Sequence, residues 1–253
     1  MTKHEREMTK DELMPNARMS KYRARTIYSF AHLFVIFSCF VAATSLVGQA
    51  PPSAREILQN TRLQQAAREL NLQGQLRENA TVIPFRLTQN GPVIRYSFSN
   101  PDEALQLRLG ENDSRLEEVT RGGAEKITPA QFDRKVRGTG ITYEDLALKF
   151  LYWPNAKITG EDLIKTRSCW KIEIHAPSRD SQYSSVNVWV DKSGGALMKM
   201  EAYDWKGQLS KRFDVVSAQK IEDRWFLKQM RIEELQPGSG KPVSRTYLEI
   251  NKG

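Results

Sequence analysis

The feature that most constrains the fold is a repeated period-two pattern of apolar side chains in the second half of the chain. From Cys169 onward, short segments of alternating apolar and polar residues follow one another at a spacing of roughly ten residues. Successive side chains of a strand point to opposite faces, so each segment predicts a strand with one buried face. Turn-forming residues at 191–195 and 204–207 separate these strands. The pattern therefore predicts an antiparallel β protein of the sandwich or barrel type.

A second group of strands precedes this one. Residues 85–109 alternate in the same way and contain Asn-Gly and Asn-Pro turn signals, so they predict an antiparallel meander. Helical spacing predicts a helix from Ala54 to about Asn71, which begins with a capping box of Ser53 and Glu56. Two short helices are predicted between the strand groups, beginning near Thr128 and at Thr142–Leu151.

The N-terminal region carries an export signal. Residues 28–50 contain no charged side chain and follow the basic residues Lys21, Arg23 and Arg25, and the segment ends in small residues. This order is typical of a secretory signal peptide. A chain start at Met19 would give a signal of more usual length.

Two alternatives to cleavage stay open. The 28–50 segment is long enough to span a bilayer and could remain as a membrane anchor. Cys39 could carry a lipid, although Phe37 is bulky for a lipobox. In each case residues 1–50 form a signal peptide or an N-terminal anchor, and residues 51–253 form a single exported domain. We therefore predict a periplasmic location, anchored at the inner membrane if 28–50 is kept.

Composition and charge exclude several classes. The chain has a formal net charge of +8, but its Lys and Arg are scattered and no aromatic-rich basic patch is present, so nucleic-acid binding is not predicted. Beyond residue 50 the only histidine is His175 and the only cysteine is Cys169, which we predict to be a buried thiol. One His and one Cys do not make a metal site. A nucleophile–base pair of Cys169 and His175 is conceivable but not expected, because Cys169 begins a strand of apolar neighbours with no base at the right phase. We predict no enzymatic activity, no catalytic residue, no metal and no cofactor.

Some predicted strands are apolar on both phases, at 188–190, 197–200 and 225–227. Both faces of such a strand are shielded from water. Either both faces lie in a packed core, or one face lies in the core and the other lines a cavity. Methionines are flexible and suit an adaptable acyl-chain site. If there is a hydrophobic groove, we expect it to be lined by Ile172, Ile174, Val188, Met198, Met200, Phe226 and Met230.

The stretch from about Gly138 to Ile250 resembles the LolA-like outer-membrane lipoprotein-sorting proteins of bacteria. A Thr-Tyr-Glu-Asp helix start, a Trp-Val-Asp strand and a Tyr-Asp-x-x-Gly hairpin occur in the family's order. The matching positions are Thr142, Tyr143, Glu144, Asp145, Trp189, Asp191, Tyr203, Asp204 and Gly207. Residues 51–137 match only in general pattern.

The resemblance implies a mainly β (α+β) fold, a LolA/LolB-like half-barrel in which helices pack on the concave face of a strongly curved antiparallel sheet. It also implies a groove for the acyl chains of a lipid or lipoprotein and a carrier role, with the Thr142–Leu151 helix as a candidate lid. Inner- or outer-membrane proteins are possible partners, and a monomer is expected. The alternative is an envelope interaction or sensor module of the same fold, with a packed interior.

Overall fold

The computed structural model describes residues 51–66, 69–221 and 224–251, and the predicted signal or anchor segment lies outside them. In this part of the chain, thirteen strands form one antiparallel sheet. The strands are β1 (Glu69–Glu78), β2 (Thr81–Asn90), β3 (Val93–Phe98), β4 (Glu103–Leu109), β5 (Ser114–Thr120), β6 (Gly123–Lys126), β7 (Asn155–Ile164), β8 (Arg167–His175), β9 (Ser185–Asp191), β10 (Leu197–Tyr203), β11 (Leu209–Ile221), β12 (Arg224–Leu235) and β13 (Pro242–Asn251).

The sheet consists of two meanders. Strands β1 to β6 form the first and β7 to β13 form the second, and β1 pairs with β13, with Leu76 opposite Leu248. The ends of the sheet, β6 and β7, do not pair with each other, so the sheet is open. The predicted class, a curved antiparallel sheet that does not close, is confirmed.

Two helices and three short 3₁₀ turns accompany the sheet. The helices are α1 (Ala54–Ala66) and α2 (Tyr143–Ala147), and the 3₁₀ turns are Pro129–Gln131, Val136–Gly138 and Lys149–Tyr152. The predicted start of α1 is confirmed, because the Ser53 amide donates to Glu56 Oε2 over 2.7 Å. Among the described residues, no helix has the length and apolarity needed to cross a bilayer.

The predicted end of α1 near Asn71 is wrong. The helix ends at Ala66, and β1 begins at Glu69, where Leu70, Leu72 and Leu76 alternate with polar residues. This strand pairs on both sides, with β2 and with β13. Ladder hydrogen bonds on both sides outweigh the helical propensity of its Glu, Leu and Gln residues.

The predicted Thr142–Leu151 helix is also shorter than expected. Leu148 adopts a left-handed conformation with φ of 51°, which ends α2 and leaves only a 3₁₀ turn after it. The edge strand β7, at Asn155–Ile164, was not predicted. Its side chains are exposed or only half-buried, so it lacks the apolar alternation that marks a strand in a sequence.

β-Bulges explain most of the apolar residues found on both phases. The register of β10 shifts between Leu197 and Lys199, and that of β11 with β12 shifts between Val215 and Ala218. An extra residue in one strand moves the following side chains to the opposite face. The bulge in the β11–β12 pair therefore directs Leu227 to the face that Met230 already occupies, despite their odd spacing.

The convex face of the sheet is polar and ion-paired. Cross-strand register aligns Glu201, Arg212, Glu233 and Arg245 in a row across β10 to β13. Arg245 Nη2 lies 2.7 Å from Glu233 Oε1, and Arg212 Nε lies 3.5 Å from Glu201 Oε1. Alternating charges pair along such a row and keep this face in solvent. The apolar face of the sheet is thus the concave one.

Candidate functional site

The concave face of the sheet borders a cavity of about 590 Å³ that lies beneath α1 and the segment around α2. Its volume is in the range of small-ligand sites. Most of its lining is apolar and comes from both meanders and both helical segments. The apolar lining comprises Leu70, Leu72, Leu87, Ile94, Tyr96, Leu107, Ile141, Leu146, Leu148, Phe150, Leu151, Ala196, Leu197, Met198, Met200, Phe213, Val215, Ala218, Trp225, Phe226, Leu227, Met230, Ile232, Leu248 and Ile250.

Four of the seven residues expected to line a groove do line this cavity. Met198 and Met200 lie on β10, and Phe226 and Met230 lie on β12. Register shifts in the β9–β10 and β11–β12 pairs lie in the same strands. That these four side chains contact a ligand stays a prediction.

The other three lie in the packed core instead. Ile172, Ile174 and Val188 are fully buried and do not line the cavity. They lie on adjacent strands, β8 and β9, where Ile172 is the cross-strand partner of Val188. This end of the sheet is filled by its own side chains, so their apolarity reflects packing.

The first meander supplies part of the lining that sequence reasoning missed. Leu87, Ile94, Tyr96 and Leu107 face the cavity. Their alternation was visible in the sequence, but nothing there indicated which strands would share a cavity with β10 and β12. Burial raises the pKa of Tyr96 to about 12, so its phenol stays neutral in the cavity.

The segment between the two meanders is fastened across one end of the trough. Gly140 donates its amide to Glu78 Oε2 over 2.8 Å and to Thr246 Oγ1 over 3.0 Å, and Thr246 donates to Glu78. A Cβ at Gly140 would lie 2.7 Å from Ser244 Oγ, so only glycine permits this approach. These bonds join the segment to β1 and β13 where the two meanders meet.

A buried ion pair holds α2 against the sheet. Lys211 Nζ of β11 lies 2.7 Å from Asp145 Oδ2, and both side chains are almost completely buried. Asp145 also accepts from the Thr142 amide at 2.7 Å and from the Tyr183 hydroxyl at 2.6 Å. Burial, and then the charge of Asp145, raise the pKa of Tyr183 well above its usual value. The Asp145 carboxylate lies at the closed end of the cavity and has donors from three directions.

Glu144 has a separate set of partners. It accepts hydrogen bonds from the Ser181 hydroxyl and, over 3.0 Å, from the Gln182 amide. Burial raises its pKa, and these bonds only partly oppose that effect. Each of the two acids therefore ties α2 to another part of the chain, Asp145 to β11 and Glu144 to residues 181–182.

The remaining family-motif positions build turns and the outer face. The Asp191 carboxylate accepts from the Gly194 amide over 3.0 Å in the β9–β10 turn, and Asp204 Oδ1 accepts from the amides of residues 206 and 208 at the next hairpin. Gly207 supplies the positive φ of 74° that this turn requires. Trp189 donates to Asp162 Oδ2 over 3.1 Å, and the Tyr203 hydroxyl donates to Glu201. These contacts give the motif residues structural roles.

The opposite end of the trough is covered by α1. Thr61 and Gln64 of this helix line the cavity. Arg62 donates to the carbonyl oxygen of Leu151, and its guanidinium lies 4.6 Å from the centroid of the Tyr152 ring. This helix also packs against the core through its buried Ile57 and Leu58.

The rim beside α1 is open to solvent. Trp225 lines the cavity and yet is 59% exposed, and Gln64 is exposed as well. Polar rim residues include Arg167 and Asp191, whose charged groups lie 3.6 Å apart. The cavity is therefore apolar inside and reaches solvent beside Trp225, and a few charged side chains also line it.

Cys169 and His175, the residues that could act as a nucleophile, a base or a metal ligand, do not line the cavity. Cys169 is buried, as predicted, and burial is the main cause of its raised pKa. His175 is exposed on β8. Within residues 51–66, 69–221 and 224–251, no group of three His, Cys, Asp or Glu side chains is arranged to hold a metal ion.

The fold and this pocket define a class of protein, the open antiparallel half-barrels of LolA type. Solved structures of 14–18% sequence identity share the fold. A DUF1329 family protein from Desulfovibrio piger has a TM-score of 0.58 over 79% of this chain and 91% of its own, at 18% identity. An outer membrane lipoprotein-sorting protein domain from Vibrio parahaemolyticus has a TM-score of 0.58 over 79% of this chain and 92% of its own, at 16% identity. A LolA superfamily protein from Nitrosomonas europaea has a TM-score of 0.58 over 80% of this chain and 93% of its own, at 14% identity.

A family model described as an uncharacterized protein matches residues 122–252, which is more than half of the chain. The chain belongs to this family, and its fold is LolA-like. No curated protein matches the sequence.

Proposed function

We propose that this protein binds an acyl chain of a lipid or lipoprotein in the cavity and carries it within the bacterial envelope without catalysing a reaction. The observation that carries the proposal is the apolar cavity of about 590 Å³, which reaches solvent beside Trp225. Each methylene group transferred from water into such a site contributes about 0.8 kcal/mol, so a chain of ordinary length binds without specific polar contacts.

The fold supports the same proposal. The chain shares its architecture with a lipoprotein-sorting domain and a LolA superfamily protein. An exported, periplasmic location follows from the predicted signal in residues 1–50, and a non-catalytic role agrees with the structural use of the acidic residues near the cavity. The alternative, an interaction or sensor module, was expected to have a filled interior, and the cavity argues against it.

Uptake of a fluorescent fatty acid tests the proposal. The form recovered from the cell envelope is titrated with the probe, and Met230→Asp is compared with Val243→Asp. Met230 lines the cavity, whereas Val243 is an exposed side chain on β13 that does not line it. A charge at residue 230 places an unpaired carboxylate among apolar atoms, so uptake is expected to be lost there and kept in Val243→Asp. Equal uptake by both variants would overturn the proposal for this cavity.

A further inference from the structure

The mouth of the cavity lies where the exposed apolar side chains of the molecule gather. The described part of the chain has six large apolar side chains that are well exposed, and three of them lie at this end. Leu163 lies next to the β7–β8 turn, Trp225 lies on β12 near the β11–β12 turn, and Leu63 lies on α1 beside the cavity-lining Gln64. Their exposed fractions are 66%, 59% and 59%.

Two contacts show which elements lie near one another around the cavity. Lys165, in the β7–β8 turn, donates to the carbonyl oxygen of Val216 on β11. A Cβ at Gly195, in the β9–β10 turn, would lie 3.1 Å from Gln64 of α1. The β7–β8 turn therefore lies against β11 and the β9–β10 turn against α1, and Trp225 lines the same cavity as Gln64 and Gly194.

This surface also carries basic side chains. Lys165, Lys220 and Lys228 are exposed on the two hairpins that hold Leu163 and Trp225, and Lys220 is the cross-strand partner of Trp225. Glu222 and Asp223 follow in the sequence and offset part of this charge. The positive charge of this surface is thus modest, and the exposed apolar side chain of Trp225 is its other main feature.

From this arrangement we infer that the mouth docks on a phospholipid bilayer that carries anionic headgroups, with Trp225 inserted at the headgroup level. A tryptophan side chain combines an apolar body with a polar N–H and prefers the membrane interface. Exposed lysines beside it add attraction to anionic lipids. The inference extends the proposed function, because a docked mouth would give an acyl chain a route between bilayer and cavity without crossing water.

Trp205 provides a matched control. It is the other well-exposed tryptophan, at 37%, and it lies in the β10–β11 turn, at the opposite end of β11 from Trp225. Its indole N–H donates to the Ser181 carbonyl oxygen over 2.8 Å, and Arg179 lies 5.0 Å from its ring centroid. These contacts hold it against the protein, so it has no reason to meet a bilayer.

Quenching of tryptophan fluorescence by brominated phospholipids tests the docking. The form recovered from the envelope is mixed with brominated vesicles of phosphatidylcholine alone or with phosphatidylglycerol. We expect quenching with the anionic vesicles in the wild type and in Trp205→Phe, and its loss in Trp225→Phe. Quenching that survives in Trp225→Phe, or that is equally lost in Trp205→Phe, would overturn the inference.

Two further variants separate the parts of the inference. Lys228→Glu is expected to reduce quenching by anionic vesicles roughly threefold or more, at unchanged quenching by phosphatidylcholine; no change with the anionic vesicles would overturn the role of charge. Met230→Asp is expected to keep the quenching of Trp225 while it loses fatty-acid uptake. A wild-type protein that docks on vesicles but takes up no fatty acid would therefore overturn the proposed function alone. A wild-type protein that takes up fatty acid but does not dock would overturn the docking alone.

Discussion

Lys211 and Asp145 form a buried ion pair, with Nζ and Oδ2 2.7 Å apart, that links the sheet to the segment closing one end of the cavity. A buried charge without its partner is costly, because neither water nor a counter-ion can reach it. This pair holds the Thr142–Leu151 region against β11.

Removal of the lysine is therefore expected to destabilise the fold. In Lys211→Met the Asp145 carboxylate stays buried without its counter-charge, and we expect the free energy of unfolding to fall by about 3–5 kcal/mol. Denaturant unfolding followed by circular dichroism measures it. The double variant with Asp145→Asn is expected to recover part of the loss, because the side chain is then neutral, its oxygen still accepts from the Thr142 amide and its NH2 group donates to the Tyr183 hydroxyl oxygen. A loss under about 1 kcal/mol in the single variant would contradict this role.

Glu249 on the convex face predicts a dependence of stability on pH. Partial burial by itself would raise the pKa of its carboxyl, but hydrogen bonds from Arg77, Gln75 and Gln229 hold that pKa below 4.5. A folded-state pKa below the unfolded value adds stability above pH 4.5, and that stability is lost as the pH falls through the folded-state pKa.

Glu249→Gln is expected to lower the free energy of unfolding at about pH 7 and to approach the wild type at about pH 3. Denaturant unfolding at several pH values measures the difference. Glu111→Gln, at an exposed loop position, is the matched control and is expected to show no such trend. A difference between Glu249→Gln and wild type that grows toward low pH would contradict the assigned interactions.

Much of the fold could be predicted from the sequence, because alternation marks buried strands wherever one face is wet. The Leu105–Leu109 region and the strands after Cys169 follow this rule, and the structure contains them. The edge strand β7 could not be predicted in this way, because its side chains are mostly in solvent and carry no apolar period.

The candidate site was harder to predict, because a sequence does not separate a packed core from a cavity wall. Ile172 and Met200 look alike as apolar strand residues, yet the first lies in the core and the second lines the cavity. The difference comes from how far the sheet curls and where its bulges fall, and both depend on contacts between distant strands. Similarly, nothing local to Asp145 indicates that Lys211 is its partner.

The contact of Arg62 with the 3₁₀ turn after α2 predicts how fast a ligand exchanges. Arg62→Ala removes the bond to the Leu151 carbonyl oxygen and the stacking on Tyr152, which keep α1 over the cavity mouth. Loss of about 1 kcal/mol from the closed state is expected to speed dissociation of a fluorescent fatty acid roughly fivefold. Stopped-flow displacement measures the rate. Arg55→Ala, on the exposed part of the same helix, is expected to leave it unchanged, and equal rates in all three proteins would rule out α1 as the lid.

The central claim, that the cavity holds an acyl chain, is tested most directly by native mass spectrometry of the protein recovered from the cell envelope. We expect an added mass of one lipid or acylated species per chain, retained in Val243→Asp and absent in Met230→Asp. Protein that carries no added mass, and that gains none after incubation with fatty acid or phospholipid, would contradict it.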